Sequence, residues 1–223
     1  MNITPIAYFR SPLKEKFGVP RQSGIATQLH GRIVLQNEWN DPECLRGLED
    51  FDYLWILWGF SANVDAPKHA TVRPPRLGGN RRMGVFATRS SFRPNNIGMS
   101  AVRIVGIHKG TNVEIEVSGA DLMDGTPIYD IKPYLPEFDS HPDVRGGFAA
   151  TEKWEKLNVE IPDDIRYRLG EDSCRLVEQL LGEDPRPHYH DDPERVYGMT
   201  VDGYDIRFQV VENTAKVIHI DLF

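Results

Sequence analysis

The sequence predicts a β-rich main domain, a barrel or a sandwich, followed by a small α+β unit. In the first two-thirds of the 223 residues, short apolar or alternating segments are separated by Gly and Pro turns. Many short strands with such turns are typical of barrels and sandwiches. After about Ser140 the chain becomes polar and turn-rich, and an apolar stripe at helical spacing follows. The final segments alternate again around Asp202-Gly203, a strong signal for a type I′ hairpin.

The main domain contains strands of two kinds and one short helix. Residues 53–60, YLWILWGF, are apolar on both faces, which predicts a central buried strand. Residues 113–117, VEIEV, alternate and predict a half-buried strand. A helix is expected over 41–49, with Asn40 or Asp41 as its N-cap and Pro42 in its first turn. The predicted strands of this part are 3–9, 31–36, 54–60, 84–88, 102–108, 113–117 and 128–131.

The C-terminal part predicts one helix and a strand meander. Apolar residues recur at helical spacing over 162–181, although Gly170 is expected to interrupt the stripe. Gly182 and Pro185 are expected to end the helix. Residues 196–222 then predict three consecutive strands.

The composition argues against a secreted, membrane-spanning or metal-binding protein. The N-terminus lacks a basic start followed by an apolar core, so no signal peptide is expected. No apolar run approaches the roughly 20 residues of a membrane helix. Cys44 and Cys174 lie 130 residues apart without metal-ligand spacing, which favours free thiols in a reducing cytoplasm. We therefore expect no disulfide framework, no metal and no membrane partner.

One basic stretch, 73–98, indicates an anionic partner. Its sequence, RPPRLGGNRRMGVFATRSSFRPNNIG, holds six arginines and no acid, whereas the whole chain has a formal charge of -7. Its Gly, Pro and Asn residues predict a shaped loop for the arginines. Arginine matches phosphate oxygens and stacks on bases, so with Phe86 and Phe92 the stretch suits a nucleic-acid strand. A solvated cationic loop, or arginines paired with the protein's own acids, is the alternative.

Two further clusters place polar groups on predicted loops. Residues 121–134, DLMDGTPIYDIKPY, combine an Asp-Gly-Thr-Pro turn with a third aspartate, a lysine and two tyrosines. A turn that joins two strands explains one aspartate but not three. Arg10 and Arg21 bracket a turn-rich loop after the first predicted strand. Such polar loops beside buried strands are common places for functional sites.

Together these segments resemble the TsaA-like (TrmO) family of tRNA methyltransferases, which act on N6 of threonylcarbamoyladenosine at position 37. The resemblance rests on RSPLKEKFGVPRQSG (10–24), LRGLEDFDYLWIL (45–57), RPPRLGGNRRMGVFATRSSFRPNNIGMS (73–100) and DLMDGTPIYDIKPYLP (121–136), in the family's order. The C-terminal part resembles, more loosely, the extension of the bacterial two-domain members.

The resemblance implies that the N-terminal domain, 1–140, is a single β-barrel. The sequence pattern adds a small α+β C-terminal domain over 141–223, with a helix at about 163–181 and a meander at about 196–222. The resemblance also implies S-adenosylmethionine as methyl donor, tRNA as substrate and a homodimer. Ser61-Ala62 stands where some relatives carry His-Gln, so backbone contacts are expected there. The donor-binding residues that the resemblance implies are Pro20, Arg21, Gln22, Ser61, Ala62, Arg89, Asp124, Gly125, Thr126 and Pro127.

Methylation of N6 requires removal of a proton, and Asp124 and Asp130 are the predicted catalytic bases; the choice between them, and the alternative of a site without a base, stay open. Arg89 and Arg93 are candidates for binding a carboxylate of the donor or of the threonyl group. Two other functions stay open: a non-catalytic RNA-binding or regulatory module, and a small-molecule methyltransferase whose arginines clamp an anion. The predicted tRNA-binding residues are Arg73, Arg76, Arg81, Arg82 and Arg93.

Overall fold

The computed structural model describes residues 2–63, 67–74, 77, 81–151, 155–186 and 192–222. These residues form a closed six-stranded barrel, a two-stranded ribbon and a four-stranded sheet with helices. The helices are α1 (Pro136–Asp139), α2 (Phe148–Thr151), α3 (Asp163–Leu169) and α4 (Glu171–Gly182). The strands are β1 (Ala7–Arg10), β2 (His30–Leu35), β3 (Tyr53–Gly59), β4 (Thr71–Val72), β5 (Met83–Gly84), β6 (Ile97–Lys109), β7 (Val113–Ser118), β8 (Pro127–Pro133), β9 (Asn158–Glu160), β10 (Tyr197–Val201), β11 (Tyr204–Val211) and β12 (Thr214–Leu222).

The barrel has the strand order β1-β2-β7-β6-β3-β8, and β8 closes it by pairing with β1. All of its pairs are antiparallel. The inward-facing side chains alternate with outward ones, as the period-two patterns predict. Fully buried Ile33, Leu54, Ile56, Ile115 and Ile128 fill its interior. The predicted β-barrel is confirmed.

Strand β3 pairs with β6 and β8, but in a closed barrel every strand has two neighbours, so the predicted central position does not distinguish it. Its two faces differ, however. Leu54, Ile56 and Trp58 point inward and are buried, whereas Tyr53 is exposed and Trp55 is only partly covered. The outer face is only partly covered: the Tyr134 ring contacts the Tyr53 and Trp55 rings, and Asp139 Oδ2 accepts from Trp55 Nε1 at 2.9 Å.

Two predicted elements of the barrel domain differ in the structure. Residues 84–88 are not a strand, because only Met83 and Gly84 pair with β4 and a 3₁₀ turn follows at Val85–Ala87. The predicted helix over 41–49 is instead two 3₁₀ turns, Pro42–Leu45 and Leu48–Asp50. Gly47 separates them at φ +85°, a conformation that ends a helix. Asp41 does cap the first turn, accepting a hydrogen bond from the Glu43 N–H at 2.9 Å.

The C-terminal unit places α3 and α4 beside the sheet β10-β11-β12-β9. Gly170, at φ +78°, divides the predicted helix into two. Asp202 and Gly203 have φ of +53° and +79°, which the predicted type I′ hairpin between β10 and β11 requires. Strand β9, which pairs in parallel with β12, was not predicted. The three residues of β9 are too few to show a clear alternation of apolar and polar side chains.

The core of the C-terminal unit extends into the N-terminal part of the chain. Leu13, Ala26 and Leu29, from the loop between β1 and β2, are buried in the same cluster as residues of α3, α4 and the second sheet. The predicted division at residue 140 stays a prediction, but the two hydrophobic cores do not separate there. Within the described residues, no helix is long and apolar enough to cross a membrane.

Candidate active site

A cleft of about 2070 Å³ lies where the barrel meets the C-terminal unit. Segments far apart in sequence line it: the loop between β1 and β2, the end of β3, the stretch before β6, and the β7–β8 connection. Residues of α4 and the turn after it complete the wall. We call residues 13–29 the donor loop, after the donor contacts predicted for Pro20, Arg21 and Gln22, and residues 73–98 the arginine loop. Barrel closure brings these loops together, because β8 pairs both with β1, which precedes the donor loop, and with β3, which precedes the arginine loop.

Gln22 of the donor loop is joined to Arg89 of the arginine loop. The Arg89 Nη1 donates to Gln22 Oε1 at 2.5 Å, and Gln22 Nε2 donates to the Arg21 carbonyl at 2.6 Å. Pro20, Gln22 and Arg89 all line the cleft. Two residues that are predicted to bind the donor are therefore in direct contact.

Arg21, also a predicted donor ligand, lines the cleft but is engaged with the C-terminal unit. Its Nη2 donates to the Asp184 carbonyl at 2.8 Å and to the Arg186 carbonyl at 3.3 Å. Its predicted contact with the donor is not tested by this geometry. The guanidinium has a structural role in any case, since it joins two units of the protein.

The end of β3 leads into a 3₁₀ turn, Ser61–Asn63, whose three residues line the cleft; donor binding by Ser61 and Ala62 stays a prediction. Buried Asn63 fixes this turn. Its Oδ1 accepts from Lys16 Nζ at 3.0 Å, and its Nδ2 donates to Ser91 Oγ. Asn63 thus joins the donor loop to the arginine loop, a role that its sequence context does not reveal.

The Asp-Gly-Thr-Pro turn reaches the cleft through Thr126, whereas Asp124, Gly125 and Pro127 do not line it. The Asp124 carboxylate accepts from the Ser11 N–H at 3.0 Å and from Lys14 Nζ at 2.9 Å. Burial opposes ionisation, but the hydrogen bonds from Lys14 and Ser11 outweigh it and lower the pKa of Asp124. Asp124 therefore ties the turn to the end of β1, and its role as a base stays a prediction that this geometry does not favour.

Asp130, the other predicted base, lies in β8 and is absent from the cleft lining. Its carboxylate is 3.1 Å from Lys132 Nζ and accepts from the Ile131 N–H at 2.9 Å. It pairs in register with Leu57, on the outward-facing side of β3. Asp130 is therefore not part of the cleft lining, and its role as a base stays a prediction.

Asp121 lines the cleft but is not among the predicted site residues. The Trp58 Nε1 donates to Ser100 Oγ at 3.0 Å, and Ser100 Oγ donates to Asp121 Oδ1 at 2.5 Å. An indole N–H only donates, so Ser100 accepts from Trp58 and directs its own hydrogen to Asp121. The Ser23 N–H of the donor loop also donates to this carboxyl. In the sequence, Asp121 could have been found only as the first aspartate of the 121–134 cluster.

Burial raises the pKa of Asp121 above its usual value, against the opposing effects of the Ser100 hydrogen bond and the nearby Arg89 charge. A carboxyl with a raised pKa is a stronger base than an ordinary aspartate. Of the three aspartates of the 121–134 cluster, Asp121 is therefore the one that lines the cleft and whose environment suits proton acceptance.

The arginine loop presents several cations toward the cleft. Arg73, Arg82, Arg89 and Arg93 line it, while Arg81 is exposed beside it. Arg93 Nη1 donates to the Thr88 and Ser90 carbonyls at 3.1 and 3.2 Å, so this arginine shapes the loop. Arg76 lies outside the described residues. Among the described residues, no carboxylate lies within ion-pair distance of the other four arginines, which does not support self-pairing.

Known proteins resemble the chain along most of its length. Residues 8–140 match the tRNA-methyltransferase O N-terminal domain, and residues 154–222 match the TrmO C-terminal domain. The tRNA (adenine(37)-N6)-methyltransferase of Escherichia coli (strain K12) is 39% identical over 226 residues, covering 97% of this chain and 96% of that protein. A Pseudomonas aeruginosa protein named "Putative S-adenosylmethionine-dependent methyltransferase RcsF" is 39% identical over 214 residues, covering 93% and 91%.

The fold comparison agrees with the sequence comparison. A crystal structure of TrmO from Pseudomonas aeruginosa superimposes with a TM-score of 0.80 at 32% identity, covering 99% of this chain and 98% of that one. The two family matches together cover the barrel and the C-terminal unit. The two relatives and the solved structure each cover both units. The chain therefore belongs to the tRNA-methyltransferase O (TrmO) family.

Proposed function

We propose that this protein transfers a methyl group from S-adenosylmethionine to N6 of threonylcarbamoyladenosine at position 37 of tRNA. The observation that carries the proposal is the family match over both units, 8–140 and 154–222. The cleft supports it, because one cavity joins the donor loop, the arginine loop and the Asp121 carboxyl.

The chemistry of the cleft residues fits the donor. S-adenosylmethionine supplies a methyl group already activated on a sulfonium, and it carries a carboxylate, an ammonium and an adenosine. The exposed Arg89 guanidinium, oriented by Gln22, suits the carboxylate through charge-assisted hydrogen bonds. Pro20, the Ser61-Ala62 turn and Thr126 form the nearby walls.

The substrate nitrogen must lose one proton as its new bond to carbon forms. We assign Asp121 to accept it, in place of Asp124 and Asp130. The Ser100 and Ser23 donors hold the carboxyl in one orientation, so little reorganisation is needed at the moment of transfer. N6 lies between a purine ring and a carbonyl, which makes its proton more acidic than that of adenine, so a carboxylate is basic enough.

The exposed arginines suit the tRNA backbone. Arg73, Arg81 and Arg82 present guanidinium groups beside the cleft, and Phe86, 78% exposed, stands among them as a stacking surface for a base. Arg76 belongs to the same loop by sequence. Free thiols at Cys44 and Cys174 agree with a cytoplasmic site of action, where tRNA is modified.

We also infer a homodimer. The outward side of β3 and β6 carries Tyr53, Trp55, Leu57 and Met99, an apolar patch that a second copy would cover. Met99 is 54% exposed and also lines the cleft, so a partner there would stand at the cleft's edge. Sedimentation velocity tests this: Leu57→Asp should yield monomers, and a wild-type monomer at micromolar concentration would contradict the inference.

The decisive experiment supplies purified protein with methyl-labelled S-adenosylmethionine and threonylcarbamoyl-modified tRNA, followed by digestion to nucleosides. We expect label in methylated threonylcarbamoyladenosine, and none with an unmodified transcript as control. Donor binding without methylation of any RNA would favour the small-molecule methyltransferase. Binding of tRNA without donor would favour the non-catalytic module.

A further inference from the structure

The donor loop is held largely by the C-terminal unit. Leu13, Ala26 and Leu29 are each at most 1% exposed, and all three lie in the hydrophobic cluster built by α3, α4 and the second sheet. The loop is thus part of the C-terminal core, although it begins and ends on barrel strands.

Aromatic and glycine packing fixes the middle of the loop. The Phe17 ring stacks on Tyr197 with a centroid distance of 6.4 Å and an interplanar angle of 2°. A Cβ at Gly18 would stand 2.5 Å from the Met199 sulfur. The backbone of the loop therefore approaches β10 as closely as a residue without a side chain permits.

Polar contacts fix both halves of the loop. Gln179 of α4 accepts from the Gln28 N–H at 2.9 Å and donates to Thr27 Oγ1 at 3.2 Å. On the other half, Arg21 donates to the Asp184 and Arg186 carbonyls. These contacts hold the residues on either side of Gln22, which orients Arg89.

The turn that receives Arg21 is itself held in one shape. Arg186 Nε and Nη2 donate to Asp184 Oδ1 and Oδ2 at 2.8 and 2.9 Å, a bidentate pair. Both side chains are about 15% exposed or less, and Asp184 has φ +47°. The pair sets the direction of the two carbonyls without lining the cleft itself.

The charge of the C-terminal unit argues against a role as a tRNA platform. Residues 155–222 hold sixteen Asp and Glu against eight Lys and Arg. A surface of this sign repels phosphates. Beyond the few residues of α4 and the following turn that line the cleft, its contribution is therefore through the loop it holds.

We propose that the C-terminal unit is a positioning element for the donor loop, and that Asp184 and Arg186 are positioning residues that set the Arg21–Gln22 backbone through the turn between them. This rests on the proposed function, in that the loop is taken to bind S-adenosylmethionine. Loss of the pair should weaken donor binding and leave tRNA binding unchanged.

The test is Arg186→Gln in the full chain, with Arg175→Gln as the matched control. Arg175 forms exposed ion pairs on α4 with Glu171 and Asp172, away from the cleft lining. We expect the Kd for S-adenosylmethionine, measured by calorimetry, to rise about ten-fold in Arg186→Gln, the loss typical of one charge-assisted hydrogen bond. Arg175→Gln should match the wild type.

Amide hydrogen exchange provides the readout that a general loss of stability would not reproduce. Arg186→Gln should speed exchange within 13–29 while the barrel strands keep their protection. If Arg186→Gln does not fold, Gln179→Leu removes the other polar contact and should also speed exchange within 13–29. Donor affinity and loop exchange equal to wild type would overturn the inference; a wild type that binds no donor would instead refute the proposed function.

Discussion

Replacement of Asp121 by Asn tests whether this carboxyl accepts the proton from N6. The amide is close to isosteric and keeps one acceptor oxygen for the Ser100 hydroxyl, but it cannot take a proton at pH 7. Loss of a general base typically lowers the rate by about 10²–10⁴-fold, or about 3–5 kcal/mol in the barrier. We expect kcat to fall by about 10³-fold and the donor Kd to stay within about three-fold.

The raised pKa of Asp121 also fixes the sign of two pH effects. Activity of the wild type should fall as the pH drops through the folded-state pKa, because the protonated carboxyl has no free site for the proton, and Asp121→Asn should lack this limb. A carboxyl with a raised folded pKa contributes stability that is present below its unfolded pKa and is lost as the pH rises through the folded pKa. At pH 7 Asp121→Asn should therefore have a Tm equal to or above that of the wild type.

Three measurements decide the outcome for Asp121: single-turnover methylation, calorimetry with S-adenosylmethionine and thermal unfolding. Asp124→Asn is a useful comparison, because its loss should act through the pairs with Lys14 and Ser11 and so lower the Tm. Wild-type kcat in Asp121→Asn would refute the assignment. A loss of donor binding equal to the loss of rate would instead make Asp121 a ligand of the donor.

Three further predictions follow from the geometry. Gly18→Ala should lower stability by about 1–3 kcal/mol more than Gly47→Ala, since both have positive φ but only Gly18 abuts Met199; equal Tm losses would contradict this packing. Hydrogen bonds from His108 and His30 lower the pKa of Glu116 in the folded protein. The contribution of Glu116 to folding stability should therefore be present above its unfolded-state pKa and be lost as the pH falls through its folded-state pKa. Glu116→Gln should flatten the acid limb of a plot of Tm against pH, and an unaltered limb would argue against it. Arg73→Ala with Arg82→Ala should reduce the slope of log K for tRNA against log salt by about 1–2, with Arg175→Gln as control, whereas an unchanged slope would remove both from the phosphate contacts.

The local parts of the fold were predictable from the sequence, because neighbouring residues decide them. Alternation in VEIEV depends on a two-residue period, and Asp202-Gly203 supplies the two positive φ values of its hairpin. The arginine loop was also predictable, because its six arginines and its lack of acidic residues lie within one continuous stretch. Where local signals competed, prediction was weaker: Gly47 divided the expected helix over 41–49, and Gly84 began a 3₁₀ turn in place of a strand.

The roles of single side chains in the site were decided by contacts between distant residues. Arg21 donates to a carbonyl 163 residues away, and the Asp124 carboxylate accepts from the Ser11 N–H 113 residues away. No pattern within either segment contains the partner, so the sequence pointed to Asp124 and Asp130 and did not single out Asp121. Barrel closure separates them: Asp130 lies on the outer face, Asp124 holds a turn, and Asp121 reaches the cleft, where burial changes its acidity. Sequence alone thus determined the family, most of the strands and the arginine loop, whereas only the tertiary structure decided which of the three aspartates faces the cleft, because solvent access and hydrogen-bond partners arise when distant segments pack.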